Sequence, residues 1–128
     1  MILLLDTSTS ECRLTFVDGN WQFEALWEAN RELAKGLLAY IQSQLEGQGK
    51  SWSDLTGLAV FKGPGSFTGL RIGITVLNTI SYAQSIPIIG EVGADWQAKA
   101  IQRLLLGESD QVVLPEYGGE ANITQPRK

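Results

Sequence analysis

Apolar and polar positions alternate along the first quarter of the chain in patterns that are typical of β-strands. Residues 2–5 form a continuous apolar run, as expected for a central strand that is covered on both faces of a sheet. Residues 12–17 and 21–28 read as two further strands, and Asp18-Gly19 between them is a strong hairpin signal. The first 28 residues therefore predict an antiparallel meander of three strands.

The rest of the chain alternates between helical and strand patterns. Five segments follow one another as helix, strand, helix, strand and helix: 31–46, 57–61, 70–83, 86–90 and 94–106. The order β-β-β-α-β-α-β-α predicts an α/β fold with a five-stranded mixed sheet. We expect one domain over residues 1–106 and a tail over residues 107–128, which is interpreted as a short edge strand or an extended arm.

The helix predicted over residues 70–83 is apolar on nearly all sides. Such a helix must be covered on more than one face. Two interpretations stay open: the other two helices cover it, or it forms part of a subunit interface. Gly69 and Gly73 lie four residues apart, and in the second interpretation their small size lets another helix approach closely.

A glycine-rich turn joins the fourth predicted strand to this helix. Gly63 and Gly65 flank Pro64, and either Ser66 or Thr68 is expected to cap the helix. A strand, a glycine turn and a helix N-terminus can bind an anion, because free amides and the helix dipole converge there. The alternative is a tight turn without a ligand. The stretch does not have the Gly-Lys-Ser/Thr of a Walker A loop.

Composition narrows the classes of function. The 128 residues include no histidine, which excludes His-based acid–base, nucleophilic and metal chemistry within this sequence. A net charge of −4 argues against independent nucleic-acid binding, which normally needs a basic patch. Cys12 lies in an apolar strand and is interpreted as a packed thiol. Because no signal or spanning segment is evident, we expect a cytoplasmic protein with no membrane partner.

Three segments resemble a known family. Residues 63–73, GPGSFTGLRIG, resemble the G-R-G-P-G-S-F-T-G-x-R-I-G signature of the TsaB family, which is also called YeaZ. Residues 4–9, LLDTST, are similar to the family's opening I-D-T-S/A-T, and residues 115–117, PEY, to its P-x-Y. Lys62 stands where the family usually has arginine.

The resemblance implies a fold and a role. The fold is the ribonuclease-H-like half of an actin-like ATPase domain, in agreement with the predicted order of elements. The role is that of a non-catalytic partner of the related enzyme TsaD, which makes threonylcarbamoyladenosine in tRNA, with a TsaE-like ATPase as a further candidate partner. TsaD holds its metal with an H-x-x-x-H motif, and residues 30–38 contain no histidine. The catalytic paralogue is therefore not expected.

The resemblance also implies a departure from the family pattern. Family members usually continue into a second, similar half, which supplies the other wall of the nucleotide cleft. Here the last predicted helix leads almost directly into the tail, so we expect that half to be missing. We accordingly expect no bound cofactor, with ATP as the one candidate.

The candidate site residues fall into two sets. The first consists of relics of phosphate-binding turns: Asp6, Thr7, Ser8, Gly63, Gly65 and Ser66. The second is the surface expected to bind a TsaD-like subunit, or a second copy of the chain when that subunit is absent: Leu33, Leu37, Ile41, Gly69, Gly73, Leu77 and Ile80. No catalytic or metal-binding residue is assigned.

Three functions stay open at this point. The chain is a TsaB-like scaffold, or a nucleotide-binding module with weak ATPase activity that uses Asp6, Thr7, Ser8 and the Gly63 turn. The third is a protease, which the family's older glycoprotease name suggests. No nucleophile in the sequence has a matching base or metal, which argues against the protease.

Overall fold

The computed structural model describes residues 1–115 as a five-stranded sheet with three helices. The strands are β1 to β5 in chain order: Ile2–Asp6, Glu11–Asp18, Trp21–Glu28, Gly57–Phe61 and Ile88–Glu91. The helices are α1 to α3: Leu33–Gly47, Phe67–Gln84 and Trp96–Leu105. The predicted order of elements and the mixed five-stranded sheet are confirmed.

The strand order across the sheet is β3-β2-β1-β4-β5. β2 is antiparallel to both β1 and β3, whereas β4 is parallel to both β1 and β5. Because β1 and β4 are parallel neighbours, their carboxyl ends lie at the same edge of the sheet. Ligands of open α/β sheets commonly bind outside such ends, where the connections leave in different directions.

Helices cover both faces of the sheet. Leu3 and Leu5 of β1 belong to the core that the sheet forms with α1 and α2. Leu4 points the other way and packs with Trp96 and Ala100 of α3. This two-sided burial explains why β1 reads as a continuous apolar run rather than an alternating one.

The seven residues predicted to form a partner surface are all buried within the chain: Leu33, Leu37, Ile41, Gly69, Gly73, Leu77 and Ile80. Leu37, Ile41 and Leu77 are fully covered by the core between α1, α2 and the sheet. This burial corrects the prediction that these side chains are exposed for a partner. α2 is covered by α1 on one side and by the sheet on another, whereas α3 packs on the opposite face of the sheet.

The described part of the predicted tail, residues 107–115, packs along the free edge of β5 without forming a strand. The backbone N–H of Asp110 donates to the carbonyl of Ile88 at 2.8 Å, and the carboxylate of Asp110 accepts from the N–H of Gly90 at 2.8 Å. Asn78 of α2 pairs with both backbone groups of Val113, at 2.9 and 3.0 Å. One backbone hydrogen bond and the Asp110 carboxylate thus satisfy part of the edge that a sixth strand would otherwise occupy.

Arg103 of α3 fixes the same segment from the other side. Its guanidinium pairs with Asp110 at 2.6 Å and with Glu108 at 2.7 Å, and also with Glu91 of β5 at 3.0 Å. The rest of the predicted tail, together with Glu116 and Tyr117 of the P-x-Y resemblance, lies outside the described residues.

Within residues 1–115, no helix combines the length and the apolar character that crossing a membrane requires.

Candidate functional site

The turn after β1 and the glycine turn after β4 meet at the edge of the sheet. This meeting point, which we call the turn junction, brings together five of the six predicted relics of phosphate-binding turns: Asp6, Thr7, Ser8, Gly65 and Ser66. The sixth, Gly63, lies in the same glycine turn. The parallel pairing of β1 and β4 places the two turns side by side. A role of these residues in phosphate binding stays a prediction.

Hydrogen bonds within the turn junction join the two turns to each other. The carboxylate of Asp6 accepts from the backbone N–H of Ser8 at 2.8 Å, and the carbonyl of Ser8 accepts from the N–H of Ser66 at 2.8 Å. The hydroxyl of Thr7, which is fully buried, donates to the carbonyl of Gly69 at 2.7 Å. The hydroxyl of Ser66 accepts from the N–H of Gly69 at 3.2 Å, which confirms Ser66 as the cap of α2.

Two glycines of α2 bring the helix against the β1 turn. A Cβ atom at Gly69 would overlap the carbonyl oxygen of Thr7, and one at Gly73 would overlap the hydroxyl of Thr7. The close approach that these glycines permit is therefore an approach to Thr7, not to a partner helix. Gly63, in the glycine turn, has φ 122°, a conformation that side chains rarely adopt.

A cleft of about 800 Å³ opens beside the turn junction, between β1, β4 and the start of α3. Its charged lining residues are the carboxylates of Asp6, Glu24 and Asp95 and the guanidinium of Arg13. Arg13 is already paired with Glu24 at 3.2 Å. The lining thus has an excess of negative charge, which repels a phosphate group.

Cys12 of β2 lies close to the turn junction as a buried free thiol. Burial raises the pKa of this thiol to about 12, and the negative charge of Asp6 adds to the effect. The thiol therefore stays protonated at neutral pH and is no nucleophile, in agreement with the predicted packed thiol. Among the described residues, no three Cys, Asp or Glu side chains converge in a way that could hold a metal ion.

The outer surface of α1 and α2 carries a groove, which we call the α1–α2 groove. It consists of two hollows of about 380 and 430 Å³ that share Ala34, Thr68 and Ile72. The remaining lining residues are Thr9, Ser10, Asn30, Arg31, Leu33, Ser66, Gly69, Arg71, Thr75 and Val76. The sequence predicted a surface on these two helices, but of its seven residues only Leu33 and Gly69 line the groove, and both are largely buried.

The α1–α2 groove is basic at its rim and apolar along its floor. Arg31 and Arg71 are its only charged lining residues. The guanidinium of Arg71 lies 5.2 Å from the ring centre of Phe67, which is 54% exposed. Within the described part of the chain, neither arginine has a carboxylate within 4.0 Å. The groove therefore offers unpaired cations next to exposed apolar surface.

Comparisons with known proteins agree with the sequence motifs. Residues 27–104, more than half of the chain, match the family model "TsaD: tRNA N6-adenosine threonylcarbamoyltransferase". The chain is similar to the tRNA threonylcarbamoyladenosine biosynthesis protein TsaB of Escherichia coli, with 38% identity over 92 residues. It is also similar to the tRNA N6-adenosine threonylcarbamoyltransferase of Latilactobacillus sakei, with 30% identity over 102 residues.

A solved structure supports the same assignment. YeaZ from Pseudomonas aeruginosa superposes with a TM-score of 0.68 at 28% identity, over 80% of this chain and 49% of that one. The fold and the matching model thus define an α/β domain of the actin-like ATPase class that TsaD represents. Within that class, the chain belongs to the TsaB (YeaZ) family.

The matched region spans only part of these relatives. The matches cover 70% of this chain, but 38% of the E. coli TsaB and 30% of the L. sakei transferase. The activities of the longer relatives therefore enter only as proposals for this chain.

Proposed function

We propose that the chain acts in the biosynthesis of threonylcarbamoyladenosine in tRNA as a non-catalytic subunit that binds a TsaD-like enzyme. The names of its relatives support the pathway. The complete absence of histidine from the sequence supports a non-catalytic role, because the metal motif of TsaD requires two.

The observation that carries the proposal is the α1–α2 groove. It has an apolar floor with Ile72 and Val76, and exposed apolar side chains adjoin it on both helices. Leu38 of α1 is 51% exposed, and Phe67 of α2 is 54% exposed. Exposed apolar surface with a polar rim is typical of an association site. We propose that two helices of the enzyme pack into this groove, and that a second copy of the chain occupies it when the enzyme is absent.

A second candidate function is nucleotide binding at the cleft beside the turn junction. Its position at the carboxyl ends of β1 and β4 favours it, since ligands of open α/β sheets bind there. Two features oppose it. The carboxylates of the cleft lining repel phosphates, and the hydroxyls of Thr7 and Ser66 already bond to Gly69. We therefore rank nucleotide binding below the scaffold role.

The test is a binding measurement with the TsaD-like enzyme of the same host. Wild-type protein should form a stable complex with the enzyme in gel filtration and should be required for modification of tRNA in a reconstituted reaction. Ala34→Arg places a long side chain in the shared part of the groove, where Ala34 is exposed, and should abolish the complex.

The matched control is Ala39→Arg. Ala39 is also exposed on α1 but lies outside both hollows of the groove. This variant should bind the enzyme like the wild type. If both variants bind normally, the contact surface lies elsewhere, and if the wild type neither binds the enzyme nor supports modification, the proposed function is wrong.

A further inference from the structure

We propose that the α1–α2 groove recognises a partner helix that carries carboxylates beside its apolar face, and that the two groove arginines select such a helix over a second copy of this chain. The inference rests on the proposed function, in which a TsaD-like enzyme supplies the helix. It adds the chemistry that the partner must present.

The distribution of charge in the chain is the first argument. The protein is acidic, with a net charge of −4, yet the lining of the groove holds Arg31 and Arg71 and no carboxylate. Elsewhere in the described residues, Arg13, Lys99 and Arg103 pair with carboxylates at 3.8 Å or less, whereas Lys35, Lys50 and Lys62 have no carboxylate within 4.0 Å. The groove is distinguished by its lining, which combines two arginines with apolar residues and holds no carboxylate, and this combination favours acidic groups on the partner.

The placement of Arg71 is the second argument. Its contact with the ring of Phe67 holds the guanidinium at the edge of the groove, next to Ile72 in the chain and one helical turn before Thr75. A guanidinium binds a carboxylate through two parallel hydrogen bonds, and arginine is enriched among residues that dominate binding energy. A carboxylate of the partner can thus pair with Arg71 while an apolar side chain of the same helix fills the groove.

The symmetry of a self-complex is the third argument. In a two-fold dimer through the groove, the groove of one copy faces the groove of the other. The lining residues then offer four arginines and no carboxylate, so that the cations repel one another across the contact. Glu32 neighbours Arg31 in the chain, but it lines neither hollow and has no ion pair with Arg31 within 4.0 Å. The groove thus disfavours a second copy relative to an acidic partner.

The experiment measures the affinity of the complex with the TsaD-like enzyme for Arg71→Glu, Arg71→Gln and the wild type. We expect Arg71→Glu to weaken the complex by about tenfold or more and Arg71→Gln to weaken it less, because charge reversal also adds repulsion. Raising the salt concentration from about 0.05 M to about 0.3 M should weaken the wild-type complex, since the screening length falls to well below 10 Å.

The matched control is Lys50→Glu, which changes the net charge by the same amount. Lys50 follows the opposite end of α1, where its ammonium group lies over the ring of Trp21. This variant should bind the enzyme with wild-type affinity. An equal loss of affinity in Lys50→Glu and Arg71→Glu would show that net charge alone acts, and it would overturn the inference.

Self-association tests the selectivity. Wild-type protein alone should associate more strongly at high salt than at low salt, and an equal mixture of wild type and Arg71→Glu should associate more strongly than either alone. Sedimentation measurements report both effects. If the wild type binds the enzyme but Arg71→Glu and salt leave the affinity unchanged, the inference fails and the proposed function stands. If the wild type does not bind the enzyme, both fail.

Discussion

The turn junction and the α1–α2 groove both adjoin the N-terminus of α2, yet they use their polar groups in opposite ways. At the turn junction, Asp6, Thr7 and Ser66 all bond to backbone groups of the same chain. In the groove, Arg31 and Arg71 pair with no carboxylate among the described residues. The hydrogen bonds of the junction therefore hold the sheet and α2 together, whereas the charges of the groove remain available to bind another molecule.

Because of this difference, one side of α2 contributes to stability and the other side to binding. The side of α2 with Gly69, Gly73 and Leu77 faces the β1 turn and the core. The side with Arg71 and Thr75 faces solvent across the groove. Substitutions on the first side should lower the free energy of unfolding, and substitutions on the second should lower only the affinity for a partner.

The largest effect is expected for Leu77→Asp. Leu77 is fully buried, so the carboxylate would lie in the core without a partner, and we expect a loss of about 4 kcal/mol or more in the free energy of unfolding. Thr75→Asp is the control on the same helix, at an exposed position, and should change stability by less than about 1 kcal/mol. Denaturant unfolding followed by circular dichroism measures both. If the Leu77→Asp protein stays folded but no longer binds the enzyme, Leu77 belongs to the partner surface, as the sequence predicted.

An intermediate effect is expected for Gly69→Ala. The new Cβ would overlap the carbonyl oxygen of Thr7, and since that oxygen belongs to the backbone, α2 or the β1 turn has to move. We expect a loss of about 3 kcal/mol in the free energy of unfolding. Gly47→Ala is the matched control, because a Cβ at Gly47 meets no atom within 4 Å. That control should be neutral or slightly stabilising, and equal losses in the two variants would show that the contact with Thr7 is unimportant.

The sequence predicted a mixed sheet and the order of elements along the chain because strand and helix patterns differ in period. The apolar run in β1, the hairpin at Asp18-Gly19 and the amphipathic stripe of α1 are local signals that need no tertiary information. The same kind of local signal limited the expected N-cap of α2 to Ser66 or Thr68. These features agree with the structure because the local preferences and the fold are consistent with each other.

Local signals of this kind could not identify which face of α2 points outward. Apolar residues lie on several sides of this helix, so the pattern does not say which side faces the sheet. The spacing of Gly69 and Gly73 likewise fits a contact with a partner helix or with a turn, and only the position of Thr7 decides between them. The tail was predicted only as an edge strand or an extended arm, because the side chains of Asp110 and Asn78 and a single backbone bond hold residues 107–115 and leave no periodic pattern.

The smallest effect is expected for ATP. Since the cleft beside the turn junction is lined by three carboxylates and one paired arginine, ATP should leave the melting temperature of the protein unchanged. The measurement is sensitive, because a ligand at a hundred times its dissociation constant adds about 2.7 kcal/mol of stability. For a domain of this size, that addition corresponds to a shift of roughly 10 °C or more. A shift of that size with ATP, together with ATP turnover that Asp6→Ala abolishes, would make the junction a nucleotide site and reverse the comparison with the groove.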